Sequence, residues 1–241
     1  MSKTRALAAR WFMDVRVGRQ PLFWVLLLIY GSMLVGILTG SPERPRGVYY
    51  FSEMGLYLLS IIATGAMFQR EISGDMEMVA SYPVSLRAMA LRKWVFSILL
   101  AAVLELGWMI IYHLKYGGIK TAMYDWKGGE PGFSVTAARP LGILLQTLPA
   151  IMLLISLTMA GIIVFKKIFA GLLIGSAVFM LDTITSGQLL ERWTLYTAYL
   201  PKTASFPLNR VMLLGGSALL AGAAIWFIAQ RERWTAKDEE E

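Results

Sequence analysis

The stretch 141–185, LGILLQTLPAIMLLISLTMAGIIVFKKIFAGLLIGSAVFMLDTIT, decides the fold. It is two apolar runs, 141–165 and 168–185, separated only by Lys166 and Lys167. About 20 mostly apolar residues are needed to cross the hydrocarbon core of a bilayer, so each run reads as a membrane span. A turn of two lysines leaves the chain no room to do anything but reverse. The two helices are therefore expected to be antiparallel neighbours, with the lysine stems reaching from the apolar region to water.

Four more runs of this kind lie outside that hairpin. The first covers 21–39 and enters through Pro21, which sits well at a first helical position because no hydrogen-bond donor is lost there. The others cover about 48–68, with Glu53 near the start, about 94–113, interrupted by Glu105, and about 209–229. The expected fold is an all-α membrane protein of six transmembrane helices, with residues 1–241 forming one domain. Composition agrees. The chain is 56% hydrophobic and 16% charged, with a mean hydropathy of +0.57; soluble domains have roughly 45–50% apolar and about 25% charged residues. Disorder is excluded, since it needs low hydrophobicity and high net charge. With no cysteine there is no disulfide scaffold, thiol catalysis or cysteine-ligated metal, and one histidine leaves little for a zinc site or a Ser–His pair.

Charge sets the expected direction. The net charge is +7, and in a membrane chain Lys and Arg concentrate in cytoplasmic connections. The N-terminus, the 69–93 connection, the lysine turn and the C-terminal tail (230–241) together hold 14 Lys and Arg, against 9 in the alternate connections. Both termini are thus expected in the cytoplasm, and the turn-rich Gly40-Ser41-Pro42 and Gly128-Gly129-Glu130-Pro131-Gly132 outside. Residues 1–20 are too long for the basic region of a cleavable signal, and the apolar run after them is span-length. In helical projection Leu7, Ala8, Trp11, Phe12 and Val15 share one arc, flanked by Lys3 and Arg10 on one edge and by Arg5 and Arg16 on the other. This pattern predicts an amphipathic helix lying in the membrane interface. No basic run is interleaved with stacking aromatics, so nucleic acid is not an expected partner.

The longest cytoplasmic connection is FQREISGDMEMVASYPVSLRAMALRKW, residues 68–94. Ile72, Met76 and Val79 recur at helical spacing and give one apolar face, while Glu71, Asp75 and Glu77 make the other side acidic. Tyr82-Pro83 interrupts the helix, because proline disfavours the α conformation just before it. Ser85 then offers an N-cap for a second helix running through Arg87, Arg92 and Lys93 into the third span. A negatively charged leaflet is a poor neighbour for three carboxylates, and a basic protein surface is a better one. Pairing of these acids with Arg70, Arg87 or Lys93 is the alternative.

Glu71-x-x-Gly74-x-x-Glu77, followed by Tyr82-Pro83-Val84-Ser85 and the pair Arg92-Lys93, resembles the signature of type-2 ABC transporter permeases. The usual family form is Glu, then Gly-Thr-x-Glu, then Pro-x-Ser and Lys; here Asp75 replaces the threonine. The resemblance extends to the layout of interfacial helix, six spans and cytoplasmic helix after the second span. It implies that two permeases form one pathway, each docked on a separate ATP-binding subunit that holds ATP and Mg, with no cofactor bound by the permease itself. Residues 69–93 would be the coupling segment, with Glu71, Gly74, Asp75, Glu77 and Pro83 transmitting motion, and 186–207 an extracellular re-entrant segment. It further implies an exporter subunit in a bacterial cell membrane, not itself an enzyme. The sequence contains no G-x-x-x-x-G-K-[ST] phosphate loop, so ATP hydrolysis would fall to the partner. Apolar walls favour a lipophilic or amphipathic cargo such as a drug or peptide antibiotic.

Several polar residues fall within or beside spans. Glu105 costs roughly 2.5–3.5 kcal/mol on insertion scales unless it faces protein or water. It is therefore expected to point inward, either onto the pathway or into a hydrogen bond with Gln146 or a neighbouring Ser or Thr. Glu53 and Asp182 are expected near the outer interface, reaching water. Leu189, Leu190, Trp193, Leu195 and Tyr196 are apolar enough to rest on the bilayer edge. Pro149 is expected to kink its helix. Gly171 with Gly175, Ser217 with Ala221, and Ala218 with Gly222 are small pairs suited to close helix packing. Two other function classes remain: an ion-coupled carrier using Glu105, and a membrane hydrolase. The second lacks a G-x-S-x-G partner for His113.

Overall fold

In the computed structural model the lysine turn does reverse the chain. Lys166 takes the left-handed conformation (φ 54°) at the end of one helix, and Lys167 is extended before the next. The structure describes residues 20–41, 47–81, 85–124, 133–201 and 204–235. The expected interfacial helix of residues 1–19, Tyr82-Pro83-Val84, the 128–132 turn and residues 236–241 of the tail lie outside the described residues.

In chain order, α1 is Pro21–Thr39, with Pro21 in its first turn as its fixed φ favours. A π-helical turn, Tyr50–Gly55, leads into α2, Leu56–Arg70, and a second, Glu71–Asp75, carries α2 on into α3, Met76–Ser81. Helix α4, Leu86–Tyr116, begins at Ser85, whose Oγ accepts from Ala88 N at 3.3 Å, and ends at Gly117, whose φ of 71° suits a residue without Cβ. Then come β1, Lys120–Tyr124, and β2, Phe133–Ala137, α5, Pro140–Phe165, and α6, Ile168–Ile184. Two single 3₁₀ turns, Glu191–Trp193 and Thr197–Tyr199, precede α7, Phe206–Ile228, and a short α8, Glu232–Thr235.

Among the described residues five helices are long and apolar enough to cross a membrane: α1, the Tyr50–Gly74 helix, α4, α5 and α7. Helix α6 is apolar but has only 17 residues. The chain is accordingly helical and multi-pass. Among the described residues the strands are the antiparallel pair β1–β2, in which Lys120 pairs with Ala137 and Tyr124 with Phe133. Five-residue strands in a long polar connection are too short to register against the apolar spans.

Helices α2 and α5 form the centre. Helix α5 packs on α2, α4, α6 and α7, and α2 also meets α1 and α6. Small residues set the closeness of α5 to α6: a Cβ on Gly171 would run into Thr158 O and Ile162, and one on Gly175 into Thr158 Oγ1. Ser217 is buried against α5, its Oγ 2.9 Å from Ser156 Oγ, with Ala221 buried one turn on. Gly222, by contrast, faces outward with open space beside it. Pro149 lies inside α5, which remains one element; Leu145, whose carbonyl it leaves unclaimed, is exposed.

Two large apolar clusters lie in the bundle among the described residues, beside a small one of Leu200, Ala204 and Phe206. One gathers Met67, Phe68, Met76, Leu86, Met89, Met159, Ile162 and Ile228 at the end bearing Lys166 and Lys167. The other, richer in aromatics, gathers Phe51, Tyr57, Trp108, Tyr112, Leu195 and Tyr196 toward the far end.

Candidate functional site

The segment expected to couple carries the helix read from the sequence, α3. It continues the axis of a central helix, because α2 runs through a π-helical turn into α3 without leaving helical backbone. The apolar face read from the sequence is used as expected: Met76 is buried, and Ile72 and Val79 pack on the same cluster. Helix α3 also meets α8, and Arg231 Nη1 donates to Ala80 O at 3.0 Å. Gly74 and Ser73 are exposed, with open space around Gly74. Asp75 and Glu77 share this helical backbone. Pro83 is outside the described residues.

Glu71 stands where α2 gives way to the π turn. Its carboxylate accepts from Lys93 Nζ at 2.6 Å. Lys93 is buried; its ammonium also donates to Met67 O and lies 5.5 Å from the Phe68 ring centre. Of the possible basic partners, Lys93 is the one Glu71 takes. The pair joins the outgoing end of α2 to the incoming end of α4, and so ties Glu71 into the helical bundle. Lys93 is a residue whose role the sequence hid: it sits beside Arg92 in what reads as an ordinary basic flank. Its signal is position, since seven residues on from the capped Leu86 it returns to the buried face of α4.

Glu105 is fully buried on α4, and Thr147 Oγ1 donates to its Oε1 at 2.6 Å. The neighbouring threonine is thus its partner, and Gln146 is not. Gln146 turns to Thr197 Oγ1 at 2.9 Å and Glu53 Oε1 at 3.3 Å. Glu105 Oε2 has no partner among the described residues.

Glu53 and Asp182 correct an expectation. Neither reaches water: they are 2% and 0% exposed. The cause is the segment 188–200, which folds back over them and supplies donors. Thr197 gives both its N–H, at 3.4 Å, and its hydroxyl, at 2.5 Å, to Glu53 Oε1. Leu195 N donates to Asp182 Oδ2 at 2.7 Å, and Thr194 Oγ1 at 3.1 Å. In return Tyr57 OH and Arg210 Nη1 donate to Leu195 O at 2.9 and 3.2 Å, and Asn209 Nδ2 donates to Arg192 O and Thr194 O at 2.7 and 3.1 Å.

The segment therefore does not rest Leu195 and Tyr196 on the bilayer edge. Both are fully buried, while Leu189 and Trp193 remain exposed. Tyr196 packs against Tyr57, Tyr49 and Tyr199 with ring centres 5.4, 5.7 and 5.1 Å apart. Its hydroxyl lies 2.6 Å from Thr183 Oγ1, and burial raises its pKa well above that of a free phenol. The residues that sequence reading passed over are Thr194, Thr197, Asn209 and Arg210, and Gln146, expected at Glu105, serves Glu53 and Thr197 instead. Asn209-Arg210 reads as the polar edge of a loop; its position after Pro207, inside the first turn of an apolar helix, is the signal that it is buried.

This polar belt holds a non-helical segment inside a helical bundle by satisfying its backbone, as a chain buried in protein must. It is not fully saturated. Arg210 Nε and Nη2, Glu53 Oε2, Asp182 Oδ1 and Asn209 Oδ1 are buried without partners among the described residues. Among the described residues no group of His, Asp and Glu has the clustering of a metal site. His113 is exposed on α4. Compared with protein-family models, with curated proteins and with solved structures, the chain matches none.

Proposed function

We propose that this chain is the membrane subunit of an ATP-driven exporter of the type-2 ABC permease kind. In this reading six helices cross a bacterial cell membrane, α6 being the shortest, with both termini in the cytoplasm. Two such subunits, identical or homologous, enclose the pathway, and each docks on a separate ATP-binding chain that carries ATP and Mg. The cargo is a lipophilic or amphipathic compound such as a drug or peptide antibiotic.

The observation that carries the reading is the continuity of α2 with α3, locked to α4 through Glu71 and Lys93. A force applied to 76–81 would pass into α2 along its axis and into α4 through a buried ion pair. Gly74, Asp75 and Glu77 would meet the motor, and Pro83 would end the lever. Glu71 would fix the lever to the bundle instead of contacting the motor itself. At the far end, the belt around 194–197 would hold the re-entrant segment above the pathway.

The test is recovery of the full chain from native membranes in mild detergent. An ATP-binding chain of about 25–35 kDa, a size expected from domain scale, should accompany it. An ion-coupled carrier is the second reading, favoured by the half-satisfied Glu105. Under it the chain would purify alone and Glu105→Gln would abolish transport. Under the exporter reading Glu105 bridges α4 and α5, and Glu105→Gln retains transport.

A further inference from the structure

Past the end of α7 the chain stays against the bundle. Ala229 N donates to Trp226 O at 3.3 Å and Gln230 N to Phe227 O at 3.2 Å, and α8 follows from Glu232. Helix α8 packs on α3. Its Trp234 joins the apolar cluster that buries Met76 and Ala80 of α3 and Ile228, the last residue of α7. Arg231, between the two helices, donates from Nη1 to Ala80 O at 3.0 Å.

Ala80 is the last residue but one of α3. The final carbonyls of a helix have no partner within the helix itself, and a cation placed there also meets the negative end of the backbone dipole. Arg231 therefore caps α3 from outside. The support matters because α3 is short. It has six residues, against the roughly 12–15 below which an isolated helix is marginal, and the Tyr82-Pro83 that follows disfavours its continuation. One end of α3 is continuous with α2 through the π turn, where Glu71 is tied to Lys93 of α4. The other end is held by Arg231 and Trp234, and through them by α7. Helix α3 is thus mounted between two apolar helices.

We propose that Arg231 and Trp234 are positioning residues for the coupling segment. They clamp the last turn of α3 to α7 and so hold α3 in the orientation that the ATP-binding chain engages. This role rests on the exporter reading, whereas the clamp itself rests on contacts within the chain.

The experiment takes the full chain, with what accompanies it from native membranes, through two measurements: amide hydrogen exchange over 76–81, and ATP hydrolysis by the recovered complex. Arg231→Ala should speed exchange over 76–81 about tenfold, the effect of one hydrogen bond lost from a charged donor, with α5 protected as in wild type. Trp234→Ala should speed it too, by removing the packing. Arg231→Lys, which keeps a charged donor, should remain near wild type, and Glu232→Gln, at an exposed position of α8, should change nothing. In the complex, Arg231→Ala should lower the rate of ATP hydrolysis severalfold with KM for ATP unchanged, and Arg231→Lys should restore it.

Unchanged exchange over 76–81 in both Arg231→Ala and Trp234→Ala would overturn the clamp. Faster exchange with undiminished ATP hydrolysis would overturn the positioning role and leave the exporter reading intact. If no ATP-binding chain accompanies the wild type, the exporter reading fails, and the positioning role falls with it.

Discussion

Lys93 Nζ lies 2.6 Å from Glu71 Oε2, and this contact fastens the end of α2 to the third apolar helix, α4. Lys93 and Glu71 side chains are 4% and 13% exposed, so the pair is largely withdrawn from water. Removing one partner of such a pair is more costly than removing both, because the remaining charge is left uncompensated. Glu71→Gln should therefore destabilise the protein by about 2–4 kcal/mol, at or below the range for fully buried pairs. Lys93→Met should cost less, since Glu71 can turn toward water, and Glu71→Leu/Lys93→Met should recover much of the loss. Thermal unfolding of the four proteins in one detergent measures this. A double variant as unstable as the sum of the singles would show that the two residues are not coupled.

Asp182, on α6, and Glu53, in the turn that leads into α2, anchor the segment 188–200 through Thr194, Leu195 and Thr197. Hydrogen bonds inside membrane proteins are worth about 0.6 kcal/mol on average and up to about 1.7, so Thr197→Val should cost about 1–2 kcal/mol while leaving the bundle folded. Its local effect should be larger. Amide hydrogen exchange across 188–200 should rise sharply in Thr197→Val and in Asp182→Ala, with α2 and α5 protected as before. Unchanged exchange in both variants would mean that packing of Leu195 and Tyr196, not the polar belt, holds the segment.

Gly171 meets α5 with no space for a methyl group, the obstruction including the Thr158 backbone carbonyl. Gly171→Ala should force the α5–α6 hairpin apart and cost about 1–3 kcal/mol, as overpacking does. Gly222→Ala, with open space around it, should be neutral or slightly stabilising by helix propensity. Melting temperatures of the two variants discriminate directly. Equal melting temperatures would contradict the close packing described at Gly171.

These contacts mark what the sequence makes legible. Hydrophobic runs locate the helices well, and α1 and α5 begin and end within a residue of the apolar stretches 21–39 and 141–165. Runs fail where charge is buried. Arg70, Glu71 and Lys93 look like the polar borders of spans, yet the helices continue past them, because Glu71 and Lys93 neutralise each other 22 residues apart. Ser85 was readable because a cap is a local device that acts within three residues. Glu53 and Asp182 were misplaced because their partners lie 144 and 12–13 residues away, in a segment with no helical or strand periodicity to announce it. The inward orientation of Glu105 followed from cost alone, but its choice of Thr147 over the adjacent Gln146 depends on helix rotation, which a sequence does not fix.

The proposed function makes the helix that continues α2 a lever moved by a separate ATPase. Its most direct measurement is nucleotide hydrolysis by the complex recovered from native membranes, compared between wild type and Asp75→Lys/Glu77→Lys. The reversal should release the ATP-binding chain or abolish its stimulation, with the protein itself still folded by its melting temperature. Binding and hydrolysis that survive the reversal unchanged would contradict the account.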